Sequence, residues 1–245
     1  MKNYLFSILF LTLCVSATAE QGLEKIIVEK YYFSTDEDEK RTNGALRSGS
    51  VTYRIFLDML PKYRFQAVYG VPGHPMKIST TSYFFNDEEN GGATANDISN
   101  NDLNKGAVMY DSWISVCAGS EGNFAVLKTE SSNGLYPSSP LSIASIYGID
   151  SSQMLFFKKN SSADEGQIFN TDNGSWASFG GSIGLDSTNR VLIAQVTTDG
   201  EFSFELNLQL GTPFGGVENY VAKDPQNGEI LFPELIYKNE NVKKL

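Results

Sequence analysis

The sequence predicts an all-β protein, an antiparallel β-sandwich built either as one extended domain or as two small packed sandwiches. Three observations point there. Apolar and polar residues alternate with a period of two in one run after another, as strands with one buried face require. Clusters of Gly, Pro and Asn separate the runs, and these residues supply the backbone conformations that turn a chain between strands. No segment carries an apolar stripe at helical spacing over three turns.

The elements follow in chain order. Lys2 gives a positive start, residues 4–15 run apolar, and Ala17 and Ala19 place small side chains before a cleavage point. This three-part pattern predicts a signal peptide over residues 1–19, cleaved after Ala19, and hence a secreted or cell-surface protein. The apolar run falls short of the roughly 20 residues that span a bilayer. No later stretch is longer, so no transmembrane segment is expected in the mature chain. Residues 20–237 form the β region. Residues 23–32, 51–58, 63–69 and 76–85 read as strands, while residues 36–43, 86–104 and 160–174 read as loops. Residues 191–198 and 201–210 predict a hairpin closed by Asp199-Gly200 as a two-residue turn. In that register Thr198 faces Glu201, Gln195 faces Phe204 and Ile193 faces Leu206. Phe202, Phe204, Leu206, Leu208 and Leu210 share one face; Glu201, Ser203, Glu205, Asn207 and Gln209 form a wet one. An internal boundary, if there are two sandwiches, falls within residues 131–173. Residues 238–245 make a charged, frayed tail.

Composition excludes several classes. Of 245 residues, 19 are Lys or Arg and 29 Asp or Glu, a net charge of −10. That charge, with scattered cations, speaks against nucleic acid as a partner. A single His and two Cys exclude sites needing two imidazoles and cysteine-rich zinc modules. Loss of Cys14 with the signal leaves Cys117 alone, so no internal disulfide is expected; Cys117 reads as a small buried apolar residue.

The chemistry-bearing candidates are few. Gly180-Gly181-Ser182-Ile183-Gly184 matches the G-x-S-x-G nucleophile pattern, but no helix is expected after it and His74 lies upstream. It reads as a glycine-rich turn. His74, between Gly73 and Pro75, reads as an exposed turn histidine. No catalytic residue is assigned. A calcium site would draw on Asp87, Glu88, Glu89, Asp97 and Asp102, hard oxygens in an Asn-rich loop without a cation before Lys105. The EF-hand spacing is absent, so a solvated loop is the plainer reading and no cofactor is required. Trp113 and Trp176 would offer stacking surfaces, and Glu201 and Glu205 polar contacts, to a binding partner. Core packing is the commoner fate of such aromatics, and the alternation around Trp113 places it on a second face of its strand.

Residues 22–32, 49–56 and 173–221 resemble uncharacterised β-rich modules of exported and cell-surface proteins from Gram-negative environmental bacteria. The resemblance implies export and a β fold, and brings no assigned activity or site residue. Together these readings predict a secreted or cell-surface protein that binds or assembles without catalysis, as in adhesion, its partner an extracellular protein or glycan. The alternative is a protein that binds or cleaves polysaccharide.

Overall fold

Most of the period-two runs become strand where the structure, a computed structural model, describes the chain: residues 21–117, 144–157, 167–184 and 187–239. The signal peptide, all but the first two residues of the charged tail, and much of the 131–173 boundary region lie outside these residues. The strands are β1 (Leu23–Phe33), β2 (Val51–Met59), β3 (Arg64–Gly70), β4 (Met76–Thr80), β5 (Trp113–Ile114), β6 (Ala144–Tyr147), β7 (Ile168–Thr171), β8 (Gly174–Ser182), β9 (Arg190–Thr198), β10 (Phe202–Glu205), β11 (Asn207–Gly211), β12 (Val217–Val221), β13 (Glu229–Leu231) and β14 (Ile236–Lys238). They form three sheets, ordered β1-β2-β9-β5, β14-β10-β4-β7 and β13-β12-β11-β3-β8-β6. All pairings are antiparallel except β12 with β13. The fold is all-β and sandwich-like, as the alternation predicts, and it is not a barrel.

The second and third sheets are two halves of one bent sheet. β11 pairs with β3 from Gly211 to Asn207, and β10 then pairs with β4 from Glu205 to Phe202. β8 and β7 flank the same two partners in the same order. Three neighbouring strand lines therefore break together, at 70–76, at Leu206 and at 171–174. Asn207 stitches the break: its side-chain amide donates to the carbonyls of Tyr69 (3.1 Å) and His74 (2.9 Å).

One apolar cluster draws on all three sheets, with Tyr53, Leu57 and Ile193 from the first, Ile78, Phe169 and Phe202 from the second, and Phe65, Trp176 and Leu208 from the third. The first sheet has a further cover. Residues 86–112 lie over its other face, where Ala95, Ile98, Leu103, Val108 and Trp113 pack with Leu192 and Phe56. β9 is thus buried along both faces, every residue from Val191 to Thr198, which explains its nearly continuous apolar run.

Four local expectations are corrected. First, the predicted hairpin does not form. β9 pairs with β2 and β5, so both its edges are occupied, and β10 pairs with β4 and β14. Asp199-Gly200 turns a corner between sheets. Gly200 is required there by close approach, since a Cβ on it would sit 2.6 Å from the Ser82 amide and from the Thr80 hydroxyl. Second, residues Asp36–Arg41 are an α-helix, not a loop. Thr35 and Asp38 form a capping box, and the acidic first turn suits the helix dipole. Third, two boundaries move: residues 168–171, within the expected 160–174 loop, are strand β7, and the strand expected over 76–85 ends at Thr80, beyond which the chain crosses to the first sheet and the Phe85 amide donates to the Thr197 carbonyl (2.8 Å). Fourth, Lys238 and Asn239 are held. Lys238 ends β14, and the Asn239 side chain accepts from the Phe202 amide (2.8 Å) and donates to the Tyr53 hydroxyl (3.0 Å).

Candidate functional site

The acidic loop spends its carboxylates on itself. Asp87 accepts backbone N–H groups from Glu89 (3.1 Å), Asn90 (3.0 Å) and Ala107 (2.8 Å). Asp97 accepts from the Thr94 amide (3.0 Å), and Asp102 pairs with Lys105 at 2.6 Å. Glu88 and Glu89 are exposed. Among the described residues no group of three or more His, Cys, Asp or Glu side chains stands together as a metal ion would need. The residue that organises the loop is Asp111, which no spacing had marked. It is fully buried and accepts from the amides of Asp87 and Gly92, both at 2.8 Å. Burial pushes its carboxyl well above the ordinary range, and the Asp87 charge adds to this against its backbone donors.

Both tryptophans lie inside. Trp113 is completely buried under the loop layer, on the second face of β5, while neighbouring Ile114 joins the main core. Trp176 is buried in that core and its indole N–H donates to the Ser115 carbonyl (3.1 Å). Neither ring presents a face to a ligand at the surface; an aromatic in a two-faced strand packs wherever the second layer closes. Of the other aromatics, Tyr220 is buried, Tyr31 lies 3.5 Å beneath the Arg54 guanidinium, and Tyr32 stacks on Tyr110 at 4.4 Å.

His74 is buried, at 3% exposure, and not an exposed turn residue. The excursion between β3 and β4 folds back over the sheet, closed by mutual backbone hydrogen bonds between Val71 and His74. There the imidazole Nε2 lies 3.1 Å from Glu229. Ser182 is equally buried, and its hydroxyl bonds to the Val116 carbonyl and to Ser178, both at 2.7 Å. His74 and Ser182 keep separate partners; Gly180 to Ser182 end strand β8 in a bulge, and Ile183 and Gly184 follow it outside the strand.

Glu201 and Glu205 do lie on the outer face of the bent sheet. Glu205 pairs with Lys223 (2.8 Å) and Glu201 with Lys238 (3.7 Å). Register places Lys77, Ser79, Ser203 and Lys238 beside them, with the Ser79 and Ser203 hydroxyls 2.8 Å apart. Beyond the break the same face continues through Ser145, Ala177, Ala67, Gln209 and Asn219 in one cross-strand row, the Gln209 amide donating to Asn219 (3.0 Å). Tyr147, Ser175 and Tyr69 form the adjoining row. Asn207, expected on this wet face, is buried beneath the His74 excursion. A cavity of about 320 Å³, lined by Ala93, Thr94, Asn96, Asp97, Ala144, Ile146 and Met154, offers one carboxylate and no base. Among the described residues no helix is long and apolar enough to cross a membrane.

No protein-family model matches the chain, and neither the curated proteins nor the solved structures contain a match to it.

Proposed function

We propose that this is an exported protein, secreted or held at the cell surface, that binds or assembles through the outer face of its bent sheet and does not catalyse. The observation that carries the reading is that face. It is a broad polar surface of Lys77, Ser79, Ser203, Glu205, Gln209 and Asn219 on neighbouring strands, whereas the candidate base and nucleophile, His74 and Ser182, are buried with other partners. Export rests on the N-terminal pattern and on the likeness to β-rich surface modules. The reading needs no cofactor; calcium would be an addition to it.

A glycan is the second reading, and one observation favours it. Tyr147, 56% exposed, and Tyr69 flank Ser175 on the outer face, next to the row holding the amides of Gln209 and Asn219. Spaced rings beside amide donors suit sugar stacking and hydroxyl hydrogen bonding.

A glycan array and a polysaccharide-hydrolysis assay on the secreted protein, each with and without chelator, test both. The expected result is no turnover, with any saturable sugar binding weakened at least tenfold by Tyr147→Ala. Turnover abolished by one carboxylate substitution, such as Glu205→Gln, would overturn the non-catalytic reading.

A further inference from the structure

Two phenylalanines stand almost wholly in solvent: Phe179 at 94% and Phe214 at 97% exposure. Soluble proteins scatter single apolar residues over their surfaces, but rings this bare at loop tips form a small apolar patch when they project together. Both belong to the same end of the same sheet. Phe179 sits in the bulge of β8, where Ser182 pairs with Phe65 and Ala177 with Ala67, so that residues 178–181 bow out. Phe214 tips the loop between β11 and β12, closed by the Thr212 amide donating to the Gly216 carbonyl (3.0 Å).

The two projections share a root. Arg64, at the start of β3, pairs with Gly211 at the base of the second loop. A Cβ on Gly181, at the base of the first, would lie 2.8 Å from the Arg64 Cβ. The glycine pairs 180–181 and 215–216 all hold positive φ, a conformation that lets each loop turn sharply and carry its ring clear of the sheet. The tips stand two to three strand spacings apart, roughly 10–14 Å. Exposed Val217 adjoins the second tip, and Arg64 and Lys62 are exposed beside them.

We propose that this end of the molecule docks on a lipid bilayer, with Phe179 and Phe214 entering the headgroup–acyl boundary and Arg64 meeting lipid phosphate. Rings on separate tips with a cation between them match a flat interface that is apolar below and anionic above. The net charge of −10 does not forbid this, because charge remote from the tips is screened over about 8 Å at physiological salt. Gly22, which leads into β1, lies at this same end, its amide donating to Glu218 (3.0 Å), next to Val217. The tips lie past the end of the polar row of Gln209 and Asn219 and share no residue with it, so either proposal can fail alone.

The test uses vesicles of phosphatidylcholine with a minority of phosphatidylglycerol and the full chain carrying Phe214→Trp. Trp113 and Trp176 are fully buried, so the new indole reports the tip. The expected results are a blue-shifted emission quenched by acyl-chain quenchers, partitioning weakened about tenfold by Phe179→Ser, and a further loss with Arg64→Glu. Phe33→Ser, an exposed ring at the far end of β1, should change nothing. An indole that stays unquenched at saturating vesicle overturns the proposal. So does a blue shift that appears without vesicles as the protein self-associates, which would assign the tips to a second copy of the chain.

Discussion

Asp111 shows what one side chain does for a loop with almost no regular structure. Its carboxyl closes two distant amides, Asp87 and Gly92, over the face of the first sheet. Asp111→Ala orphans both donors in a dry site and should cost on the order of 3 kcal/mol, measured by urea denaturation. Its pH signature has a definite sign. The folded carboxyl titrates above the ordinary 3.8, chiefly through burial. Its contribution is therefore fully present below that value and lost as pH rises through the folded one. Asp38 has the opposite sign. Burial would raise it, but hydrogen bonds from Thr35 and Tyr32 and the Arg41 charge hold it lower. Its contribution is present above the ordinary value and lost as pH falls. Asp111→Asn should flatten the decline on the rising side while leaving the acid limb intact. Composition marked the acidic loop but not which carboxyl turns inward, because that depends on a sheet face contributed by distant residues. The second face of Trp113, by contrast, was legible, since alternation with Ile114 fixes it locally.

Gly200 marks the boundary of what a short stretch of sequence can specify. Asp-Gly between two alternating runs is a strong hairpin signal, and both runs are indeed strands. The pairing differs because β2 and β5 already occupy the edges of β9, a competition no local pattern displays. The alternation of 202–210 survives intact, with Phe202, Phe204, Leu206, Leu208 and Leu210 all buried, even though Leu206 divides the run between two half-sheets. Gly200→Ala tests the corner. A methyl 2.6 Å from the Ser82 amide must push the segment after β4 away from the corner, and a loss of about 1–3 kcal/mol is expected from overpacking, read as a lower Tm. A true type I′ turn would show a different response, because there the penalty comes from φ and not from neighbours.

At the scale of the molecule, an all-β body without internal cystine is held by one shared core and a loop laid over its first sheet. Cys117 reports its integrity. Buried, with its thiol donating to the Ile183 carbonyl (3.3 Å) and pushed up to about 12 by burial, it should resist an aromatic disulfide reagent at neutral pH and react only as denaturant opens the fold. Labelling at the native rate of a free thiol would contradict this packing. The fold class was legible because alternation is a property of each strand alone; the layering was not, because it is a property of pairs. The shared interruption of three strand lines has a consequence of its own. The alternation runs through the break with its period of two, so lengthening one half by a residue pair leaves inside and outside unchanged in the other. Descendants of this chain can grow or shorten on either side of that crease, and it is there that insertions should accumulate.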